Sequence, residues 1–224
     1  MSIGLDQPSK SHSTTISPAA ARGNRLSLVI KRAIDIIGSL VLLVLLSPLL
    51  LVIAVAIKLD TPGPIFYKRR LIGQGGKPFM VFKFRSMVAN AHELLTQNPT
   101  LLQQYQQDLK IAHDPRVTRV GGILRQTTLD ELPQLINVLK GDMSLVGPRM
   151  LGDVELARFG EYRDKVLSVK PGMAGLWVAS GRHTLPFERR VELEMEYIDR
   201  WSLWLDIKVL LASVLIVIRR VGAE

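Results

Sequence analysis

The chain of 224 residues contains no cysteine. This absence excludes disulfide frameworks, thiol nucleophiles, iron–sulfur clusters and cysteine zinc sites. Histidine is also scarce, and the few histidines lack the spacing of metal ligands: His12, His92, His113 and His183. Acidic residues are outnumbered by basic ones, which gives a net charge of +9, and 47% of the residues are hydrophobic. A basic chain of this kind is expected to bind an anionic partner, either a membrane surface or nucleic acid.

The N-terminal segment has little that could form a core. Residues 1–24 are rich in Ser, Thr, Pro and Ala and show no apolar period. We therefore expect a disordered tail there. No apolar stretch precedes a small-residue cleavage site within this segment, so a cleaved signal peptide is not expected.

One long apolar run, residues 36–57, carries no charged residue. A straight helix of this length would reach ~33 Å, enough to cross the hydrocarbon core of a bilayer. Ser47 and Pro48 lie near its middle, where proline removes a helical hydrogen bond. Both ends are flanked by basic residues, although positive charge normally stays on the cytoplasmic side. Residues 25–60 are therefore interpreted either as a kinked re-entrant helix or as an ordinary transmembrane anchor, in which proline is tolerated.

A β-hairpin is predicted over residues 65–87, around a glycine-containing turn at 73–76. The surrounding segment 61–90 contains six basic residues and no acidic residue. In the second strand, aromatic residues alternate with Lys83 and Arg85, which places the two cations on one face. Such a face either binds an anion or is simply solvated.

Two adjacent carboxylates, Asp130 and Glu131, lie near the start of residues 129–139, whose apolar spacing is helix-like, and Gly141 follows as a C-terminal stop. They can be explained without chemistry, because acidic residues stabilise a helix N-terminus and Thr128 with Glu131 matches a capping box. They can also form a site, because Arg125 precedes them by five residues and Arg149 follows the helix in a Gly-Pro turn. Two carboxylates near several cations could hold Mg²⁺ and a diphosphate together.

A set of motifs in a fixed order identifies a family. In chain order they are Lys31-Arg32 with Asp35, Ser47-Pro48, KFRSM at 83–87, LDELPQ at 129–134, KGDMSLVGPR at 140–149, KPG at 170–172, GLW at 175–177, SGR at 180–182 and WS at 201–202. The sequence resembles the monotopic phosphoglycosyl transferases, the bacterial sugar transferases that initiate exopolysaccharide, O-antigen and glycoprotein glycan assembly. The resemblance covers residues 25–220. The extra membrane helices of longer family members have no counterpart in this sequence, so a minimal catalytic form is expected.

The resemblance implies transfer of a sugar 1-phosphate from a UDP-sugar to polyprenyl phosphate, giving polyprenyl-diphospho-sugar and UMP. It implies that Asp130 is the nucleophile and forms a covalent aspartyl phosphosugar intermediate. Glu131 would either bind Mg²⁺ with Asp130 or accept a proton. The substrate is expected to bind at four basic residues. Three of them match basic active-site positions of the family, namely Lys83, Arg125 and Arg149, and the fourth is Arg85.

The motifs depart from the usual family pattern at two positions. Met150 stands where a second proline is usual, and Lys170 stands where arginine usually precedes Pro-Gly. Lysine keeps the charge but loses the bidentate fork of arginine. The GLW and SGR motifs at 175–177 and 180–182 resemble the exopolysaccharide branch that handles glucose or galactose.

We therefore predict an α-rich α+β fold, with a catalytic domain over residues 61–224. Within it, residues 201–220 form a helix whose uncharged run, the ten residues 209–218, is too short to cross a bilayer, so it is either interfacial or a plain core helix. The resemblance implies a monotopic protein on the cytoplasmic face of the bacterial inner membrane. Membrane lipid, polyprenyl phosphate and a UDP-sugar are the expected partners, and a homodimer is left open.

Two other classes of function are compatible with the composition. A membrane-tethered nucleic-acid binder would explain the net charge, but the cations form no helical stripe and lie among membrane and turn features. A non-catalytic membrane scaffold would not need the two carboxylates. Neither class explains the ordered motifs, so no nucleic-acid partner is expected.

Overall fold

The computed structural model of the protein describes residues 25–108, 111, 113–181 and 185–218. The predicted tail at 1–24 lies outside the described residues, and so do the last two residues of the predicted helix 201–220. The described helices are α1 Arg25–Leu45, α2 Ser47–Asp60, α3 Ala91–Gln97, α4 Pro99–Asp108, α5 Arg119–Thr127, α6 Gln134–Lys140, α7 Asp153–Ala157, α8 Arg163–Val166, α9 Leu176–Ala179, α10 Phe187–Asp199 and α11 Leu203–Ile218. The described strands are β1 Phe66–Ile72, β2 Pro78–Phe84, β3 Ser144–Val146 and β4 Gly172–Ala174. The α-rich α+β prediction agrees with this architecture.

Helices α1 and α2 form a bent pair with an angle of 62° between them. The bend lies where the sequence predicted it, because Pro48 has no N–H to donate to the carbonyl of Val44. The Ser47 hydroxyl donates to that same carbonyl at 2.8 Å and so replaces the lost bond. In the part of the chain that the structure describes, no single helix is long and apolar enough to cross a membrane, whereas this bent pair passes by length and composition.

Three charged side chains attach the first half of α1 to the rest of the protein. Lys31 forms an ion pair of 2.6 Å with Asp206 on α11. Arg32 donates to two carbonyls at the end of α6, at 2.6 and 2.7 Å. Asp35 is buried and accepts from the Ser144 hydroxyl at 2.9 Å. The N-terminal half of the bent pair is therefore anchored by polar contacts.

The C-terminal end of α2 contacts the same body of structure. Asp60 accepts a hydrogen bond of 3.0 Å from the backbone N–H of Val120 on α5. Ile57 is buried in a small apolar cluster with Phe84 and Leu124. Both ends of the bent pair are thus joined to neighbouring elements, while much of its apolar surface near the bend is exposed.

The sheets are small. Strands β1 and β2 form the predicted antiparallel hairpin, with Phe66 opposite Phe84 and Ile72 opposite Pro78. Gly75 lies in its turn at φ 68°, in the left-handed region that glycine adopts without strain. Strands β3 and β4 pair in parallel. The main core packs against β3 and includes Leu135, Val138, Met143, Val146, Met195, Ile198 and Val209.

The C-terminal helices have different surfaces. Helix α10 buries Val191, Met195 and Ile198, as its apolar spacing predicts. Helix α11 buries Val209 but exposes a group of apolar side chains: Trp204, Ile207, Leu211, Val214 and Leu215. It therefore combines a core contact with an exposed apolar face. The core contact agrees with the core-helix interpretation, and the interfacial interpretation stays a prediction.

Candidate active site

Asp130 and Glu131, the carboxylate pair, lie in a short 3₁₀ turn between α5 and α6. The predicted capping box is wrong. Thr128 adopts a left-handed conformation with φ 62°, ends α5 and makes no side-chain capping bond to the turn. Helix α6 begins only at Gln134 and ends at Lys140, and the predicted glycine, Gly141, follows as its C-cap. The carboxylates therefore stand on a turn rather than inside the first turn of a helix.

Lys83 on β2 faces the carboxylate pair. Its ammonium group lies 2.5 Å from Oε1 of Glu131, and both side chains are about a quarter exposed, at 25% and 23%. Partial burial reduces the screening of this ion pair by water. The sequence predicted both residues for the site but did not predict that they pair.

The carboxyl group of Asp130 is electrostatically perturbed. Burial, followed by the negative charge of Glu131, raises its pKa to about 6. The charges of Lys83 and Arg125 act in the opposite direction. Two adjacent carboxylates thus repel each other beside two cations, a combination that is frequent at sites for phosphates or metal ions.

Arg125 lies in the last turn of α5 and is held by Ser86 of the loop after β2. The guanidinium Nε donates to the Ser86 hydroxyl at 2.9 Å. The bond fixes one edge of the guanidinium group. Sequence reasoning did not single out Ser86, although it belongs to the KFRSM motif.

Asn137 on α6 joins the helix to β2 and was not predicted as a site residue. Its side chain is fully buried. The amide oxygen accepts from the backbone N–H of Phe82 at 3.0 Å, and the amide nitrogen donates to the carbonyl of Met80 at 2.8 Å. The side-chain amide therefore pairs with the strand as a neighbouring backbone would. This contact fixes the strand that carries Lys83 relative to the helix that follows the carboxylate pair.

Arg85 has a different environment from Lys83, and the prediction that the two cations point together is wrong. Strand β2 ends at Phe84, and the Arg85 side chain is 4% exposed. Its guanidinium donates to the carbonyls of Pro62 at 2.5 Å and Thr61 at 2.8 Å, just after α2. Arg85 thus ties the end of the bent pair to the hairpin, with these donors committed to backbone carbonyls.

Arg149 has neighbours different from those of Asp130. Its guanidinium carbon lies 5.0 Å from the ring centre of Trp177. Its backbone N–H donates to Glu194 of α10 at 3.0 Å. Glu194 is fully buried, and burial raises its pKa to about 8. The structure therefore brings Lys83, Arg125 and the carboxylate pair together, and surrounds Arg149 with aromatic and buried polar groups.

The described part of the chain contains no group of three or more His, Cys, Asp or Glu side chains that could hold a metal ion. A metal bound here would draw on the carboxylate pair and on other oxygen atoms, such as those of water or of substrate phosphates. The predicted Mg²⁺ site at Asp130 and Glu131 stays a prediction.

Comparison with known proteins gives concordant matches. Residues 26–220 match the family model described as bacterial sugar transferase. Undecaprenyl-phosphate galactose phosphotransferase of Salmonella typhimurium is 44% identical over 89% of this chain and 42% of its own length. UDP-glucose:undecaprenyl-phosphate glucose-1-phosphate transferase of Escherichia coli is 42% identical over 85% of this chain and 40% of its own length. Exopolysaccharide production protein ExoY of Rhizobium meliloti is 38% identical over 82% of this chain and 83% of its own length. The chain thus spans less than half of the first two relatives and most of the third.

Proposed function

The chain belongs to the bacterial sugar transferase family, and on that premise we propose that it transfers a sugar 1-phosphate from a UDP-sugar to polyprenyl phosphate. The products are polyprenyl-diphospho-sugar and UMP, and the reaction is the first membrane step of exopolysaccharide or O-antigen assembly. Glucose or galactose is the favoured sugar, in keeping with the names of the relatives. The observation that carries the proposal is the half-buried carboxylate pair with Lys83 and Arg125 beside it.

Asp130 is the proposed nucleophile. One of its carboxylate oxygens attacks the sugar-bearing phosphorus, and the bond from that phosphorus to the bridging oxygen breaks, so that UMP leaves with the electron pair. The resulting acyl phosphate is reactive enough for a second displacement. An oxygen of polyprenyl phosphate then attacks the same phosphorus and releases the Asp130 carboxylate. With a pKa of about 6, Asp130 is mostly ionised at neutral pH, as a nucleophile must be.

Positive charge is needed because a carboxylate is repelled by a phosphorus that carries anionic oxygens. Arg125, held by Ser86, can present its remaining N–H groups to phosphate oxygens. Lys83 is paired with Glu131 and can share its ammonium hydrogens with a phosphate. Arg85 is left out of this role, since its guanidinium serves the carbonyls after α2.

The carboxylate pair fits a Mg²⁺ ion. Mg²⁺ is typically held by one or two carboxylates and completes its shell with substrate phosphates and water. The repulsion between Glu131 and Asp130, which helps to raise the pKa of Asp130, is relieved by a divalent cation. Bound there, Mg²⁺ would neutralise charge on the diphosphate. Asp130 and Glu131 are the residues that would hold it, with Lys83 restraining the carboxylate of Glu131.

For the bent pair we propose a re-entrant position in the cytoplasmic leaflet of the bacterial inner membrane. The support is that both ends contact the same neighbouring elements: Lys31 and Arg32 near one end, Asp60 at the other. Two ends held on one body cannot readily lie on opposite sides of a bilayer. Exposed apolar side chains around the bend and on α11 would then meet lipid.

The test of this function is UMP release from a panel of UDP-sugars with polyprenyl phosphate and Mg²⁺. We expect release with UDP-glucose or UDP-galactose that requires polyprenyl phosphate for sustained turnover. Folded protein that releases no UMP with any donor would contradict the proposal and favour a non-catalytic scaffold.

A further inference from the structure

A second group of cations lies around two aromatic rings. The guanidinium of Arg190 lies 5.7 Å from the ring centre of Trp177 and 5.7 Å from that of Phe187. Arg149 lies over the same Trp177 at 5.0 Å, and Arg158 lies over Phe187 at 3.9 Å. We call Arg149, Arg158 and Arg190 the arginine cluster. Aromatic faces attract guanidinium groups but do not neutralise their charge.

The arginine cluster has donors that the protein does not use. The Nε atoms of Arg149 and Arg190 are buried without a hydrogen-bond partner. The ion pairs among the residues that the structure describes involve other cations. Buried donors without partners are costly, so their presence favours a ligand that would accept their hydrogen bonds.

The nearest buried carboxyl group does not balance these charges. Glu194 has a pKa of about 8 and is mostly protonated at neutral pH, and one of its oxygens has no partner. Burial and then the charges of Arg149 and Arg158 lower the pKa of Arg190, while Glu155 has a smaller opposite effect. The cluster therefore keeps excess positive charge, and a bound anion would relieve the repulsion within it.

We propose that Arg149 and Arg190, stacked on Trp177, form a phosphate-binding site for the nucleotide part of the donor. The contact with the ring orients each guanidinium, and the partly exposed side chains can offer their terminal N–H groups for bidentate contacts with phosphate oxygens. The backbone of Arg149 is held by Glu194 and by pairing with Gly172, so this half of the site is preorganised. The ligand class rests on the proposed function, whereas the anion site rests on the geometry and the charge of the arginine cluster.

The first test measures anion binding without catalysis. Pyrophosphate in the absence of Mg²⁺ is titrated calorimetrically into the full chain in detergent or nanodiscs. Arg190→Gln should weaken binding about tenfold, the loss expected for one charge-assisted contact. Arg189→Gln is the matched control, because it removes the same charge from an exposed residue that pairs with Glu192. Equal affinities of the two variants would overturn the proposal.

A second variant keeps the proposal testable if the first variant does not fold. Arg190→Lys keeps the charge but loses the planar fork, so it should bind pyrophosphate with an affinity between wild type and Arg190→Gln. Circular dichroism and the melting midpoint verify that each variant is folded. If Arg190→Gln does not fold, wild-type affinity in Arg190→Lys overturns the proposal.

The second test separates donor from acceptor. Arg190→Gln should raise the KM for the UDP-sugar about tenfold and leave the KM for polyprenyl phosphate unchanged. A rise confined to polyprenyl phosphate would overturn the donor assignment and give the site to the acceptor phosphate. If pyrophosphate binding depends on Arg190 but wild type releases no UMP, the proposed function fails while the anion site stands.

Discussion

A half-buried and a fully buried carboxyl group, Asp130 and Glu194, show how residues of similar chemistry acquire different tasks. Asp130 has a pKa of about 6 and lies beside Lys83 and Arg125, so it is mostly ionised at neutral pH. Glu194 has a pKa of about 8 because it is fully buried, and it is mostly protonated there. The first can attack phosphorus, whereas the second accepts a hydrogen bond from the Arg149 backbone N–H and helps to hold the turn around it.

The pKa of Glu194 predicts a pH-dependent stability. Because the folded protein retains a proton that the unfolded chain releases near pH 4.5, the free energy of unfolding should fall as pH rises from about 4.5 to about 8 and then level off. Glu194→Gln cannot ionise, so its melting midpoint should fall less across this range. Glu192→Gln on the exposed side of the same helix is the control. A wild-type slope in Glu194→Gln would refute the assignment.

Sequence reasoning identified Asp130, Glu131, Lys83 and Arg125, whose motif positions the structure brings together. It did not predict that Lys83 and Arg85 have different surroundings, because the alternation of side chains along a strand assumes that the strand continues. The strand ends at Phe84, and this local ending decides which cation is buried. No sequence pattern marks such an ending one residue in advance.

At the scale of elements, α6 and β2 are joined by one side chain. Asn137 forms hydrogen bonds with Phe82, Met80 and Asp142 from a fully buried position. A polar residue within an apolar spacing gives no sequence signal of its future partners. This contact could therefore not be predicted from the sequence, although the hairpin and the helix themselves were predicted.

Asn137→Ala should destabilise the protein by about 1–3 kcal/mol, because it leaves buried backbone groups of β2 without partners. It should also lower kcat, since the strand that carries Lys83 is no longer held against α6. Denaturant unfolding and UMP release measure the two effects. The control is Gln126→Ala, at an exposed position on α5. The assigned role is wrong if Asn137→Ala and Gln126→Ala match in both measurements.

The bent pair was predicted in its position but not in its attachments. The Ser-Pro sequence indicates a break because the missing N–H of proline is a local property. The partners of Lys31, Arg32 and Asp35 lie more than a hundred residues away in the sequence. Long-range contacts of this kind carry no local pattern, so only the three-dimensional structure reveals the anchoring of α1.

At the scale of the whole molecule, the re-entrant proposal predicts that Arg25 and Lys68 lie on the cytoplasmic side together. Native cysteines are absent, so single cysteines at these positions report without background. An impermeant thiol reagent added to spheroplasts should label neither position, and both should react after lysis. Labelling of either one from outside would contradict the re-entrant arrangement and favour a spanning helix. Periplasmic and cytoplasmic reporter cysteines in known proteins serve as controls.

The central claim is covalent transfer through Asp130. Intact-mass spectrometry of the wild-type protein incubated with UDP-sugar and Mg²⁺, without acceptor, should show one sugar-phosphate adduct, and peptide mapping should place it on Asp130. Asp130→Asn should give no adduct, whereas Asp199→Asn, at an exposed carboxylate at the end of α10, should behave as wild type. An adduct of the same yield in Asp130→Asn, or its location on another residue, would contradict the account.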